Sequence, residues 1–535
     1  MGRIWQNSNT SLLAPRRISK FIIDLPLSPT AAMFSYILPL AFVAGTLPGA
    51  LAECPNYVDY STQTHAPTSP GKYALSYMRP APACRTYNLP EVEQTIQDMK
   101  ATITDPDLFR LFENTFPNTL DTTVSWKGFA KGSSDEELTF IVTGDINAMW
   151  LRDSANQLRS YKSLLKNNSA TDSLASLYRG AINLQSRYIL TSPYCNAFQA
   201  PVESGLDPQV NNAAKNDKVV PNYRNDSVFE CKYELDSLSA FLQLSSDYFE
   251  KTQDLGFFDK FQWVDAIRYL VNVTEGLRVG TYADDGHVNA SPYEFQREAT
   301  SASEVLMNGG VGSPVQGGTG LVRSAFRPSD DSTIYQLFIP ANMMFSSYLG
   351  RCADIMAKLD GSLSNRMSEL AASVRAGIEK HGKTSLDGFG EVYAYEVDGF
   401  GSANMMDDAN VPSLLSAPII DYINASDTTY QNTRRFVLSK SDPYYMHGPV
   451  ISGSNDDDEI KQGLRTLVSS TDGLGLIHES IDTFDAHGYT RPWFSWANGL
   501  FGGAAAETEG EKAGTSPIEF PIAKSRAVHQ LQADA

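Results

Sequence analysis

The 535-residue chain reads as an all-α protein, a toroid in which helix pairs close around a central cleft. Three observations predict this. Seven segments carry apolar residues at three- and four-residue spacing over 12 or more positions. Only LTFIVTG and FGEVYAYEVDG have strand character. The connections are rich in Gly, Asp and Pro and collect acids, arginines and aromatic rings.

Residues 1–52 form a leader. The run FSYILPLAFVAGTLPGALA, 34–52, ends in Ala50-Leu51-Ala52, the small-residue pattern read by signal peptidase, so the mature chain starts near Glu53. Thirty-two residues, including Arg16, Arg17 and Lys20, precede Met33, which makes Met33 the natural start. An uncleaved signal-anchor is the competing reading, disfavoured by Pro39 and Pro48. Either way the chain faces the secretory lumen or the exterior. Sequons at Asn167, Asn225, Asn272, Asn289 and Asn424 agree with that compartment. There, Cys54 with Cys84 and Cys195 with Cys231 are plausible disulfides, leaving Cys352 free.

Residues 53–90, rich in Pro, Ser, Thr and Tyr, form an extended arm, and 91–502 form the helical domain. Its periodic segments begin with LPEVEQTIQDMKATI, SANQLRSYKSLLKN and DSLASLYRGAINLQSRYIL. They continue with CKYELDSLSAFLQLSSDYFEKT, QWVDAIRYLVNVTEGL, IPANMMFSSYLGRCADIMAKL and LSNRMSELAASVRAGIEKH. Residues 503–535 lack apolar periodicity and read as a disordered tail. A formal net charge of -19 argues against nucleic acid or anionic membrane surfaces as partners. No Cys/His spacing points to zinc, and no cofactor motif is present in the sequence.

The segment TGDINAMWLRDS packs Asp145, Trp150, Arg152 and Asp153 into twelve residues. Sugar clefts are built from such mixtures: carboxylates and Arg take hydroxyls while indoles cover the ring face. Similar mixtures recur in CKYELDS (Tyr233, Glu234, Asp236) and SAFRPSDDSTIY (Phe326, Arg327, Asp330, Asp331). Others are YEVDGFGSANMMDDANVPSLL (Glu396, Asp398, Asp407, Asp408), GLIHESIDTF (His478, Glu479) and YTRPWFSWANGLFG (Arg491, Trp493, Trp496). One cleft to which all contribute is more economical than six separate ion pairs. Glycoside hydrolysis suits such a cleft, since it needs one carboxylic acid and one carboxylate. Each residue also has a structural alternative. Asp331 could cap a helix starting near Ser332, Glu479 could pair with Arg491, and Arg152 could pair with Asp153. Asp407 and Asp408 could be solvated in their loop, and the acidic run 456–459 could open a helix.

These six motifs, in this order, resemble glycoside hydrolase family 125, exo-acting α-1,6-mannosidases, over roughly residues 70–501. The resemblance implies an (α/α)6 barrel, no metal or other cofactor, and inversion at the anomeric carbon. It implies a general acid within RPSDD, Asp331 or else Asp330, and Glu479 as general base. The two carboxyls would stand about 6.5–9.5 Å apart to admit a water. It implies a terminal-mannose subsite lined by Trp150, Arg152, Asp153, Arg327 and Asp398. The expected substrate is an α-1,6-linked mannoside of an N-glycan or mannan, and the expected protein is a secreted monomer.

The chain departs from the family in its leader, in its tail, and after PYYMHGPVISGS, where Ser454 runs into Asn455-Asp456 without the expected loop and helix. Losing one helix of a closed ring exposes apolar surface on two neighbours, at about 25 cal/mol per Å². A gene-model irregularity accounts for all three departures; a real deletion would leave a mannan-binding homologue without turnover. A different α/α-toroid glycosidase or a polysaccharide lyase is the remaining alternative.

Overall fold

The computed structural model describes residues 54–446 and 457–510. The leader, the Ser452–Asn455 junction and the chain after Gly510 lie outside the described residues. The described residues belong to one compact unit.

Most periodic segments fold as read. Helices span Pro90–Thr102, Leu174–Thr191, Leu235–Thr252, Trp263–Gly276, Ile339–Met356 and Gly361–His381. Local capping sets several starts: Ser173 Oγ accepts the Ser176 amide, and Asp360 accepts that of Leu363. Leu151–Arg159 and the first four turns of Leu235–Thr252 are buried all round, so they lie inside the ring. Ile339–Met356 is buried to nearly the same extent. Gly361–His381 and Trp263–Gly276 bury one face each and lie outside. Leu235–Thr252 packs between Leu151–Arg159 and Ile339–Met356, while Ser495–Gly510 packs on Leu151–Arg159. Along the chain, the outer helices Trp263–Gly276 and Gly361–His381 thus follow the inner helices Leu235–Thr252 and Ile339–Met356, the pattern of an α/α toroid. The main apolar core draws on residues from Leu75 to Ala506, with two small satellite clusters beside it. Among the described residues, no helix is long and apolar enough to cross a membrane.

Four departures have physical causes. The segment from Ser154 predicts a helix to Asn167, but the helix is Leu151–Arg159 followed by a 3-10 turn at Lys162–Leu164. Tyr161 anchors the break by donating its hydroxyl to the Phe116 carbonyl at 2.7 Å in the core. Cys231–Glu234 is not helical because its amides are taken elsewhere. Lys232 N donates to Asn196 Oδ1 at 3.0 Å, and Tyr233 N donates to the Tyr293 hydroxyl at 3.1 Å. FGEVYAYEVDG splits into Gly390–Tyr393, paired with Lys383–Leu386, and Glu396–Val397, paired with Leu337–Phe338 and Ala403–Asn404.

The fourth concerns the C-terminal boundary. The domain does not stop at residue 502: the last helix is Ser495–Gly510, with Ala504, Ala505 and Ala506 buried. Its glycines allow close backbone approach rather than ending it. A Cβ on Gly502 would lie 2.4 Å from the Phe116 Cα. No helix starts at Ser332 either, so Asp331 caps none.

The arm is mostly irregular, as its composition predicts, yet firmly held. Asp107 accepts from Ser69 Oγ and the Tyr73 amide. Arg79 joins Asp121 at 2.6 Å and Glu93 at 2.5 Å. The structure joins Cys54 to Cys84 and Cys195 to Cys231, and Cys352 is a buried thiol.

Candidate active site

The site is assembled from the segments that lead into the inner helices. A three-stranded antiparallel sheet, Met149–Trp150, Ala197–Phe198 and Val228–Glu230, leads through its first and last strands into two of them. Met149–Trp150 feeds the helix that begins at Leu151 and carries Arg152 and Asp153 in its first turn. Val228–Glu230 leads to Lys232 and Glu234, where the next inner helix starts. The short sheet around Glu396–Val397 leads into Ile339–Met356. A hairpin of Ser480–Ile481 and Tyr489–Thr490 holds Glu479 beside Arg491. A bridge between Gly144 and Phe494 brings the Asp145 turn against that hairpin's exit. Gly144 has φ +146°, and a Cβ there would meet the Trp493 carbonyl at 3.0 Å, so glycine is required.

At the centre, Arg152 lies under the face of Trp496, 5.2 Å from the ring centroid. Its Nη1 donates to Glu234 at 2.5 Å and to Asp236 at 2.9 Å, and its Nη2 lies 3.5 Å from Asp153. The Asn196 amide donates to Glu234 Oε1 at 3.1 Å and to Asp330 Oδ1 at 3.2 Å. Lys232 Nζ donates to the Asp330 carbonyl at 2.9 Å and stands 3.9 Å from its carboxylate. Asp330 adopts φ +64° and Arg491 φ +47°, left-handed conformations that cost a non-glycine residue energy and concentrate at functional sites.

The electrostatics divide the acids into roles. Glu234 has no exposed side-chain surface. Burial drives its carboxyl well above the usual range despite Arg152, and it hydrogen-bonds the Asp330 carboxyl. Burial and the neighbouring Asp330 charge thus favour the neutral form of Glu234. Burial also acts on Asp330, but Lys232 and Arg152 outweigh it and hold that carboxyl below its ordinary value. Asp330 is the member of the pair that faces solvent, with 31% of its side chain exposed. Across the cleft, burial raises Glu479, Arg491 opposes the rise, and Asp330 adds repulsion. Arg491 Nε lies 3.5 Å from Glu479, and Thr490 Oγ1 donates to the same carboxylate at 3.3 Å. Burial likewise pushes Asp153 up to about 6.

Among the described residues, Asp145 Oδ1, Arg152 Nε, Asp153 Oδ2 and Asp236 Oδ1 are buried without hydrogen-bond partners. Buried polar atoms are rarely left so, and a cluster of them matches the demand of sugar hydroxyls. No group of three or more His, Cys, Asp or Glu among the described residues has the arrangement of a metal site.

The expected residues are not all drawn together. Arg152, Asp153, Asp330 and Glu479 share one electrostatic cluster. Asp331, the preferred acid in the sequence reading, has other neighbours apart from the Lys232 cation, which it shares with Asp330. Its carboxyl is raised by burial and faces Ser303, Asp408 and Arg327. Arg327 is held by Glu396 at 2.6 Å. Asp398 is not in the cluster. It spends its carboxylate on its own turn, accepting the amides of Phe400 at 2.8 Å and Ser402 at 2.9 Å. Trp150 packs in a satellite cluster against Phe229, and Trp496 is the indole that meets Arg152. His478 stacks on Tyr489, and Trp493 donates to Asn118. Asp407 accepts the amides of Leu414 and Leu415, while burial pushes its carboxyl up to about 8. Sequence reasoning missed Asn196 and Lys232. The only signal was that each directly follows a cysteine of one candidate disulfide.

Comparison with known proteins shows the family. The sequence profile of the metal-independent alpha-mannosidases (GH125) matches residues 105–454 and 450–506. The chain is 42% identical over 495 residues to the meiotically up-regulated gene 157 protein of Schizosaccharomyces pombe, covering 88% of this chain and 95% of that one. A solved Streptococcus pneumoniae structure, described as a metal-independent alpha mannosidase in a non-productive complex with alpha-1,6-mannobiose, superposes with a TM-score of 0.66. Its identity is 32%, over 77% of this chain and 95% of that chain. The fold is therefore the six-hairpin (α/α)6 toroid, and the chain belongs to glycoside hydrolase family 125, the metal-independent α-mannosidases.

Proposed function

We propose that the protein is a secreted, inverting exo-α-1,6-mannosidase that releases terminal mannose from N-glycans or mannan, acting as a monomer. The observation that carries this reading is the carboxyl cluster itself: the Asn196 amide joins Asp330 at 3.2 Å and Glu234 at 3.1 Å, and Arg491 supports Glu479 at 3.5 Å. In this reading Asp330 and Glu234 share a proton. Asp330 is the better general acid than Asp331, because it faces Glu479 and belongs to the proton-sharing pair. The pair gives its proton to the glycosidic oxygen through Asp330 as the C1–O bond breaks. Glu479 takes a proton from the water that attacks C1 from the opposite face. Products leave, and the proton returns from Glu479 to the pair through solvent. Arg152 and Asp153 hold the sugar, with Asp145 and Asp236 offering further acceptors. The α-1,6 linkage draws support from the disaccharide bound to the Streptococcus pneumoniae relative.

The test follows the anomer released from α-1,6-mannobiose by proton NMR. Initial appearance of β-mannose supports the reading. Initial α-mannose contradicts inversion, and no mannose contradicts the activity. The family match falls into two pieces that meet at 450–454, at the junction where the sequence reading expects a loop and helix; a real deletion there is what would favour mannan binding without turnover as the second reading.

A further inference from the structure

We propose that Asn196 and Lys232 are positioning residues for the acid, and that the Cys195–Cys231 disulfide holds them in place. The inference rests on the assignment of Asp330 as acid. Asn196 and Lys232 each follow one half-cystine directly. The strands beside them, Ala197–Phe198 just after Asn196 and Val228–Glu230 just before Cys231, are very short, and their register shifts between Ala197 and Phe198. Such pairing fixes geometry weakly, so the covalent link sets the spacing of the two side chains. A cross-connection follows it at once: Lys232 N donates to Asn196 Oδ1 at 3.0 Å, which orients the amide so that Nδ2 faces both carboxyls. That amide then touches Asp330 at 3.2 Å and Glu234 at 3.1 Å, bridging the members of the proton-sharing pair.

Lys232 acts from the other side. Its ammonium donates to the Asp330 carbonyl at 2.9 Å and so supports the left-handed backbone that aims Asp330 into the cleft. Its own stem is enclosed, with 6% of the side chain exposed, and Glu230, which Arg297 also holds, lies 3.8 Å from the ammonium. The polar and charged groups that act on Asp330 are Lys232, Asn196, Glu234, Arg152 and Arg491, together with the acids Asp153, Asp236 and Glu479. Of these, Asn196 and Lys232 are the two tied to the disulfide. Cutting the link leaves the sugar-binding side, Arg152 with Asp153 and Asp236, supported by its own helices.

The experiment compares wild type with the double variant Cys195→Ser/Cys231→Ser and with Asn196→Ala, below the melting temperature of each. Two substrates are used: α-1,6-mannobiose, whose leaving group needs protonation, and 2,4-dinitrophenyl α-mannoside, whose leaving group does not. Misplacing the acid predicts a kcat loss of 10-fold or more on mannobiose, KM within about 3-fold, and near-wild-type kcat on the activated substrate. Equal losses on both substrates overturn the proposal in favour of a purely structural disulfide, and unchanged kcat on both overturns it outright. Absence of wild-type activity on both substrates indicts the mannosidase reading itself, so the two failures are distinguishable.

Discussion

Arg327 donates Nε to Glu396 Oε1 at 2.6 Å, and both side chains are buried. The other Glu396 oxygen accepts the amides of Ile334 and Tyr335 and the side-chain amide of Asn404. One carboxylate therefore ties both ends of the loop that carries Asp330 and Asp331 to the sheet beneath it. Glu396→Ala leaves a buried guanidinium and three donors unmatched. It should cost about 3–5 kcal/mol of stability and abolish activity, whereas Glu396→Gln keeps an acceptor oxygen and should lose less. Chemical denaturation with parallel assays of mannose release checks the order.

The arm is held by charge as much as by packing. Arg79 and Asp121 each leave 3% of the side chain exposed and meet at 2.6 Å. Burial raises the Asp121 carboxyl, and Arg79 opposes it. Arg79→Met should therefore destabilise the fold, by less than the ~3–5 kcal/mol of a fully stranded buried carboxylate, since Arg85 still stands 3.6 Å from Asp121. A fall in melting temperature, read by calorimetry, is expected; an unchanged value would show that the arm does not bear on the domain's stability.

The pH profile should follow Arg491. Burial raises the folded Glu479 carboxyl, and the Arg491 cation lowers it. A base must be deprotonated, so the acidic limb of kcat/KM marks its titration. Arg491→Gln removes the lowering charge, raises the carboxyl further and moves that limb to higher pH. Asp153, at about 6, also loses a lowering charge and shifts the same way. A limb that stays or moves to lower pH would exclude Glu479 as the titrating base.

How far the sequence reached is seen at these residues. Periodicity located the inner and outer helices because each buries a defined stripe or its whole circumference. It could not see that the Cys231–Glu234 amides are claimed by Asn196 and Tyr293, partners distant in sequence. The motifs named Arg152, Asp153, Asp330 and Glu479 as a group. The order of Asp330 and Asp331 was not legible, because a left-handed φ at Asp330 turns adjacent carboxyls to different neighbours. Asp398 looked equivalent to Glu396 in sequence; only the turn at Phe400–Ser402 consumes one and leaves the other under Arg327.

The last helix gives a separate check. The sequence reading ended the domain at residue 502, yet Gly502 and Gly503 are the points where the last helix lies against Phe116 and Ser160. Gly502→Val forces a side chain against backbone and should destabilise the domain by about 1–3 kcal/mol. The same change at Gly350, where a Cβ meets nothing within 4 Å, avoids that clash and should cost less. Thermal melts of both variants decide.

The central claim is that Asp330 and Glu479 carry the two proton transfers. Release of mannose from α-1,6-mannobiose, measured for Asp330→Asn, Asp331→Asn and Glu479→Gln, tests it most directly. Asp330→Asn and Glu479→Gln should each lower kcat by about 10²–10⁴-fold, and Asp331→Asn should lower it far less. Near-wild-type kcat in Asp330→Asn, with the loss transferred to Asp331→Asn, would contradict the account.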